Sequence, residues 1–141
     1  MADKSILEVA KSQLIAFNEK NWDAAKAVLA TDILYDEIPT QRRLQGVEET
    51  LSAWKGWARA FPDAKGNIEK ETVSGNTVAI ELTWRAMHTG PLQLPGKDFA
   101  PSGKKVELRA CQIVEVSGGK VTTLRHYFDL ATLQRQLGLT S

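Results

Sequence analysis

The chain has 141 residues, of which 43% are hydrophobic and 25% are charged, as is usual for a globular protein. Eighteen basic and seventeen acidic side chains are scattered along it, so the sequence predicts no nucleic-acid partner and no membrane surface. The length predicts a single domain over residues 1–141. One cysteine and no apolar leader favour a cytoplasmic location.

Apolar residues recur at helical intervals in three segments of the first half of the chain. Ser5 and Glu8 have the spacing of an N-terminal capping box, and an apolar stripe then runs to Phe17. A shorter helix is expected over Trp22–Ala30, and a third over Val47–Phe61. These segments predict three N-terminal helices.

Other segments alternate polar and apolar residues, as β-strands do. They are Ile33–Ile38, Ile68–Val73, Thr77–His88, Val106–Val116 and Val121–Phe128. The stretch 90–105 is rich in glycine and proline, and we expect it to be a loop that covers a pocket. A short helix should follow Asp129, with Gly138 as its left-handed cap. The pattern predicts an α+β fold, in which three helices pack on a curved antiparallel sheet and a short C-terminal helix closes a cone.

Five short motifs follow one another from the third helix to the end of the chain. They are Ala60-Phe61-Pro62-Asp63, His88-Thr89-Gly90-Pro91-Leu92, Phe99-Ala100-Pro101-Ser102-Gly103-Lys104, Gly119-Lys120-Val121, and Tyr127-Phe128-Asp129 with Gln136-Leu137-Gly138. In this order they resemble the SnoaL-like polyketide cyclases of the nuclear-transport-factor-two-like superfamily, which is related to ketosteroid isomerase. The resemblance implies a conical pocket, a homodimer formed through the outer sheet face, and acid/base chemistry without a cofactor. The implied ligand is a small hydrophobic carbonyl compound, used by an ester or aldol cyclase or by an isomerase.

Asp129 is the general base that the resemblance implies. A carboxylate facing an apolar cavity would have a raised pKa, as this role requires, whereas an aspartate just before a helix is also a good N-cap. Tyr127, on the same predicted strand face, could donate a hydrogen bond to an enolate. His88 could polarise a carbonyl or pair with Asp129, or it could be a half-exposed histidine at a strand end.

Four residues are candidates to contact the ligand. Gln112 is the one amide on an apolar strand face, so it has either a structural partner or a ligand. Phe17, Trp54 and Trp84 would form an aromatic wall, or they belong to the core or a dimer interface. The acidic pair 36–37 could reach the pocket, but acidic residues on an edge strand are usually solvated.

No metal site is expected, because the two histidines, His88 and His126, and the scattered carboxylates do not have the sequence spacing of a set of metal ligands. The sequence also lacks a phosphate-binding loop and a nucleophile motif, and no cofactor is expected. Charged residues on the outer sheet face could pair within or between two copies of the chain: Glu81, Arg85, Glu107 and Arg109. The alternative to an enzyme is a non-catalytic small-molecule-binding or dimeric assembly module of the same fold.

Overall fold

Residues 5–139, which the computed structural model describes, form four α-helices and eight strands. The helices are α1 (Ile6–Glu19), α2 (Trp22–Val28), α3 (Val47–Ala60) and α4 (Leu130–Gln136). The strands are β1 (Leu29–Glu37), β2 (Arg42–Gln45), β3 (Lys65–Ser74), β4 (Thr77–Met87), β5 (Leu92–Leu94), β6 (Lys97–Phe99), β7 (Lys105–Ser117) and β8 (Lys120–Phe128). A single 3₁₀ turn, Ile38–Thr40, joins β1 to β2.

Six strands form one curved sheet in the order β2-β1-β8-β7-β4-β3, and β5 pairs with β6 in a separate hairpin. Strands β1 and β8 run parallel, whereas the other neighbours are antiparallel. The predicted α+β architecture is confirmed, but the sheet is mixed instead of wholly antiparallel. Strand periodicity does not encode direction, and no tight turn links β1 to β8 that would force them to be antiparallel.

Local signals set the ends of several elements as predicted. The Ser5 hydroxyl accepts a hydrogen bond from the backbone N–H of Glu8 at 3.0 Å and starts α1. Gly118 and Gly119 have φ angles of 59° and 76°, which suit the two-residue turn between β7 and β8. Both signals act over a few residues, so the sequence alone reveals them.

Three segments differ from the prediction. Strand β1 begins at Leu29, where the second helix was expected to continue, because Leu29 pairs with Val121 of β8. The stretch between the first predicted strand and the third predicted helix, for which no element is predicted, contains the edge strand β2. The loop 90–105 carries the β5–β6 hairpin, whose Leu92 is buried against α3. Tertiary pairing decides each of these cases.

The core lies between the concave face of the sheet and the helices. The alternation predicted along β4 and β7 is confirmed, because every second side chain over most of each strand is buried: Val78, Ile80, Leu82, Val106, Leu108, Gln112, Val114 and Val116. The Asn18 side chain connects α1 to β3 by two hydrogen bonds with the backbone of Gly66. It accepts from the Gly66 N–H at 2.8 Å and donates to the Gly66 carbonyl at 3.0 Å. A Cβ at Gly66 would lie 2.7 Å from Leu82 Cδ1, so glycine permits this close approach. Among residues 5–139, no helix is both long and apolar enough to span a bilayer.

Candidate functional site

An apolar cavity lies between the concave sheet face and helices α1, α3 and α4. Its volume is about 80 Å³. Aromatic and aliphatic side chains dominate its wall, which includes the four predicted ligand contacts Phe17, Trp54, Trp84 and Gln112. The polar residues in this wall are Gln13, Tyr35, Gln112 and His126.

One row of the sheet carries Glu37, His126 and Gln112 side by side. In the strand register, Glu37 of β1 is level with His126 of β8, and His126 is level with Gln112 of β7. All three side chains are buried. Residues paired in this way on one sheet face have Cβ atoms about 5 Å apart, so His126 and Gln112 present their polar groups to the same part of the cavity.

The Glu37 carboxylate is held by four hydrogen bonds. Its Oε1 accepts from Thr40 Oγ1 at 2.6 Å and from Arg42 Nη2 at 2.9 Å. Its Oε2 accepts from the Tyr35 hydroxyl at 2.6 Å and from Trp57 Nε1 at 2.7 Å. Burial acts to raise the pKa of Glu37, but the Arg42 charge and these hydrogen bonds outweigh it and lower the pKa. Glu37 is therefore a buried carboxylate that is ionised at neutral pH.

His126 joins this carboxylate to the cavity. Its Nε2 accepts from Trp84 Nε1 at 3.2 Å, and its Nδ1 lies 3.4 Å from the Tyr35 hydroxyl oxygen. An indole nitrogen can only donate, so the neutral imidazole carries its hydrogen on Nδ1, which points towards Tyr35. Burial lowers the pKa of His126 to about 4, against an opposing contribution from the Glu37 charge. The ring is neutral at pH 7.

Asp129 does not reach the cavity, and the expectation that it faces a ligand there is wrong. The residue is exposed and caps α4: its Oδ1 accepts from the Ala131 N–H at 3.1 Å, and its Oδ2 accepts from Thr132 Oγ1 at 2.7 Å. The hydrogen bond from Thr132, with help from the backbone N–H groups of the first turn, lowers the pKa of Asp129. The shift is opposite to the one expected for a buried general base. The N-cap alternative is confirmed.

Tyr127 is 40% exposed and also lies outside the cavity. In β8 the side chains of Arg125 and Tyr127 point to the outer face, while His126 and Phe128 point inward and line the cavity. Arg125 bonds Glu115 on that outer face at 2.8 Å. The charged Arg125 was the sequence signal that Tyr127 and Asp129, at the same parity, face outward.

His88 is fully buried but is not among the described residues that line the cavity. Its Nδ1 accepts from the Ser102 N–H at 3.1 Å and bonds the Ser102 hydroxyl at 2.9 Å. Burial lowers the pKa of the ring, and the nearby Gly90 carbonyl opposes this. His88 thus ties the segment 90–105 to the end of β4, and that segment contributes no residue to the described cavity wall.

Sequence reasoning missed three polar residues of the site, Gln13, Tyr35 and His126, and it favoured a solvated position for a fourth, Glu37. The expectation that Glu37 is solvated treats β1 as an edge strand, whereas β2 lies outside it. Alternation along Ile33, Tyr35 and Glu37 was the available signal for its burial. In residues 5–139, no three His, Cys, Asp or Glu side chains are grouped as metal ligands would be.

The chain and its fold are similar to those of known proteins. The family model for SnoaL-like polyketide cyclases matches residues 8–137. A protein from Jannaschia sp. CCS1, described as a SnoaL-like polyketide cyclase, superimposes with a TM-score of 0.85 at 17% identity, over 100% of both chains. IdmH from Streptomyces antibioticus, described as a polyketide cyclase, gives a TM-score of 0.81 at 20% identity, over 96% of this chain and 99% of its own.

A protein with a ketosteroid isomerase-like fold from Catenulispora acidiphila gives a TM-score of 0.74 at 21% identity, over 94% of both chains. No curated protein matches the sequence significantly. At these low identities, the superpositions on the solved structures support the fold alone. The family model matches nearly the whole chain, and that match shows the family. The chain therefore belongs to the SnoaL-like polyketide cyclase family.

Proposed function

We propose that this chain is a cofactor-independent enzyme that moves a proton at the carbon next to a carbonyl, as an aldol cyclase or an isomerase does. The substrate would be a small, largely apolar carbonyl compound. The observation that carries the proposal is the neutral His126 in an apolar cavity, level with the amide of Gln112. A neutral imidazole can accept a proton, and an amide N–H can stabilise the oxygen on which negative charge develops.

In the proposed step, His126 Nε2 takes the proton from the α-carbon. The electron pair of the broken C–H bond moves to the carbonyl and forms an enolate, whose oxygen accepts from Gln112 Nε2. The substrate replaces the Trp84 N–H at His126, which leaves that indole free to donate to the same oxygen. In an aldol cyclase the enolate carbon then attacks a second carbonyl carbon, whose oxygen takes the proton back from the His126 imidazolium. In an isomerase the imidazolium instead returns the proton to a different carbon of a conjugated enolate, and the carbonyl forms again.

The charge formed on His126 has a route to a counter-charge. The imidazolium keeps its Nδ1–H towards Tyr35, whose own hydrogen goes to the ionised Glu37. A carboxylate that orients and stabilises an imidazolium is a common element of catalytic triads. Here a tyrosine hydroxyl lies between the two groups, and the pairing of the partly exposed Arg42 with the buried Glu37 keeps the carboxylate charged.

The low pKa of His126 limits the chemistry. A base whose pKa is about 4 is weak, and proton transfer to it is efficient only from an acidic C–H bond. The carbon between two carbonyl groups fits this requirement better than the α-carbon of a simple ketone. Asp129, which the family resemblance suggested as the base, is exposed and is not among the described residues that line the cavity.

Proton exchange tests this assignment directly. Methyl acetoacetate has an acidic C–H group between two carbonyls, and deuterium uptake from heavy water can be followed by NMR. We expect the wild-type protein to accelerate exchange and His126→Gln to lose roughly a hundredfold of that acceleration. His88→Gln is the matched control, since it changes a buried histidine outside the cavity, and it should keep most of the rate. Equal acceleration by wild type and His126→Gln would overturn the assignment.

A non-catalytic binding module is the second candidate, favoured by the aromatic wall and small volume of the cavity. Trp54, Trp57 and Trp84 line that wall and report ligand entry by fluorescence. If methyl acetoacetate changes this fluorescence at saturating concentration while its exchange stays at the uncatalysed rate, binding without chemistry is the function.

A further inference from the structure

Two buried glutamines form a polar patch in the cavity wall. Gln13 on α1 is 1% exposed and Gln112 on β7 is 5% exposed, and both line the cavity. Gln13 Nε2 donates to the Ala10 carbonyl at 3.0 Å and to Gln112 Oε1 at 2.7 Å. The two amides are thus joined by one hydrogen bond across a helix and a strand.

This arrangement determines which way each amide points. Only the NH₂ group of Gln13 can donate to two carbonyl oxygens, so its Oε1 is left over. Gln112 uses its oxygen to accept from Gln13, so its Nε2 is left over. Within residues 5–139, Gln13 Oε1 and Gln112 Nε2 have no hydrogen-bond partner. Neither atom is among the unpartnered polar atoms that are completely buried, so both are accessible to a small molecule. One free acceptor and one free donor therefore face the cavity close together.

We propose that Gln13 and Gln112 select ligands that carry a carbonyl oxygen and a hydroxyl group on one edge, as a β-hydroxy ketone does. The carbonyl accepts from Gln112 Nε2, and the hydroxyl donates to Gln13 Oε1. Gln13 has a second effect, because its bond to Gln112 Oε1 holds the Gln112 donor towards the ligand. The inference rests on the proposed function in taking the ligand to be a carbonyl compound, and an aldol ring closure generates this pair of groups.

The physical basis is the cost of leaving a buried polar atom unpaired. An apolar cavity discriminates weakly between ligands of similar shape, whereas a site built to bond a hydroxyl strongly rejects the analogue that lacks it. Gln13 Oε1 would lose a partner if a methyl group stood in place of the hydroxyl. Ligand selection should therefore depend on Gln13, and carbonyl binding should depend on Gln112.

A matched pair of ketones tests the inference. 3-Hydroxycyclohexanone and 3-methylcyclohexanone have the same shape and differ only in the hydroxyl, and both can be titrated against the fluorescence of the cavity tryptophans. We expect the wild-type protein to bind the hydroxy ketone about tenfold more tightly. Gln13→Met should bring the two affinities together, because the hydroxy ketone loses its hydroxyl acceptor. The methyl ketone should weaken as well, since the Gln112 donor is no longer held in place, but less than the hydroxy ketone. Gln112→Met should weaken both ketones.

Leu108→Met is the control variant, since it changes an apolar part of the wall and should preserve the preference for the hydroxy ketone. Thermal melting checks that each variant is folded. Equal affinities in the wild type, no binding of either ketone at millimolar concentration, or an unchanged preference in Gln13→Met would each overturn the inference. Selectivity for the hydroxy ketone without catalysed proton exchange would support this inference and contradict the proposed function. Catalysed exchange without that selectivity would support the proposed function and contradict this inference.

Discussion

Tyr35 donates its phenolic hydrogen to the buried carboxylate of Glu37 across 2.6 Å. The same oxygen lies 3.4 Å from His126 Nδ1, so one hydroxyl group links the cavity imidazole to the carboxylate. Burial, together with the Glu37 charge, raises the pKa of Tyr35 well above its usual range. The phenol therefore keeps its proton and serves as a connector between the other two groups.

Replacing Tyr35 by phenylalanine should separate these groups while keeping the ring. Without the hydroxyl, the His126 Nδ1–H has no acceptor, so the imidazolium should be harder to form. We expect the unfolding free energy to fall by about 1–2 kcal/mol and methyl acetoacetate exchange to slow at least about tenfold. Thr40→Val is a control that removes another donor to Glu37 outside the cavity, and it should keep most of the rate. Full activity in Tyr35→Phe would show that the link is not used.

The titration of His126 should make stability depend on pH. Its pKa is about 4 in the folded chain, below the ordinary value of 6.5, so the unfolded chain binds the proton more readily. With respect to His126, the folded chain has its full stability above pH 6.5 and loses stability as the pH falls towards 4. The free energy of unfolding then decreases with a limiting slope of about 1.4 kcal/mol per pH unit. Urea unfolding between pH 7 and 5 should give a smaller slope for His126→Gln than for the wild type. Identical slopes would contradict the burial of a neutral imidazole.

The cap made by Asp129 can be tested apart from catalysis. Asp129→Ala removes the acceptor for the first turn of α4 and should lower the melting temperature by a few degrees. Asp129→Asn keeps a capping oxygen and should melt close to the wild type. Neither change should slow methyl acetoacetate exchange. A large loss of rate in a stable Asp129→Asn protein would return the base assignment to this residue.

Gln136 attaches α4 to β7. Its amide donates to the Glu107 carbonyl at 2.8 Å and accepts from the Glu107 N–H at 2.9 Å, as a neighbouring strand would. Gln136→Ala should cost about 1 kcal/mol of stability and loosen α4, whose Leu133 forms part of the cavity wall. Acrylamide should then quench the cavity tryptophans more strongly than in the wild type or in the control Gln134→Ala. Unchanged quenching would mean that this contact does not limit access.

The outer face of the sheet is the surface where we expect two copies of the chain to meet. It carries a polar groove lined by Glu81, Arg85, Glu107 and Arg109, in which Arg85 and Glu107 already pair at 2.9 Å. Light scattering at micromolar concentration should give the mass of a dimer, and Arg109→Glu should shift it towards that of a monomer. Lys97→Glu, on the separate β5–β6 hairpin, should not. A monomeric wild-type protein would reject this interface.

Much of the architecture was predictable because its signals are local. The Ser5–Glu8 capping box, the Gly118-Gly119 turn and the alternation along β4 and β7 involve neighbouring residues. The same alternation correctly placed Gln112 on the inner face. Helical spacing likewise brought Phe17 and Trp54 to the cavity wall. These patterns report which face of an element is buried, and that is why they succeeded.

The polar site depends on relationships that a local pattern does not contain. Glu37, His126 and Gln112 come from three distant segments, and only the strand register places them in one row. The pairing of β7 with β8 shifts register between Glu115 and Val116, which face Thr123 and Val121 of β8. This extra residue in β8 lies before His126 and changes which residues of the strand face inward. A one-residue error in that parity exchanges His126 for Tyr127. The burial of Glu37 required β2 on one side and Trp57 above it. Tertiary packing supplied the hydrogen bonds that keep this carboxylate charged, and these contacts, which involve residues far apart in the chain, moved the candidate base from Asp129 to His126.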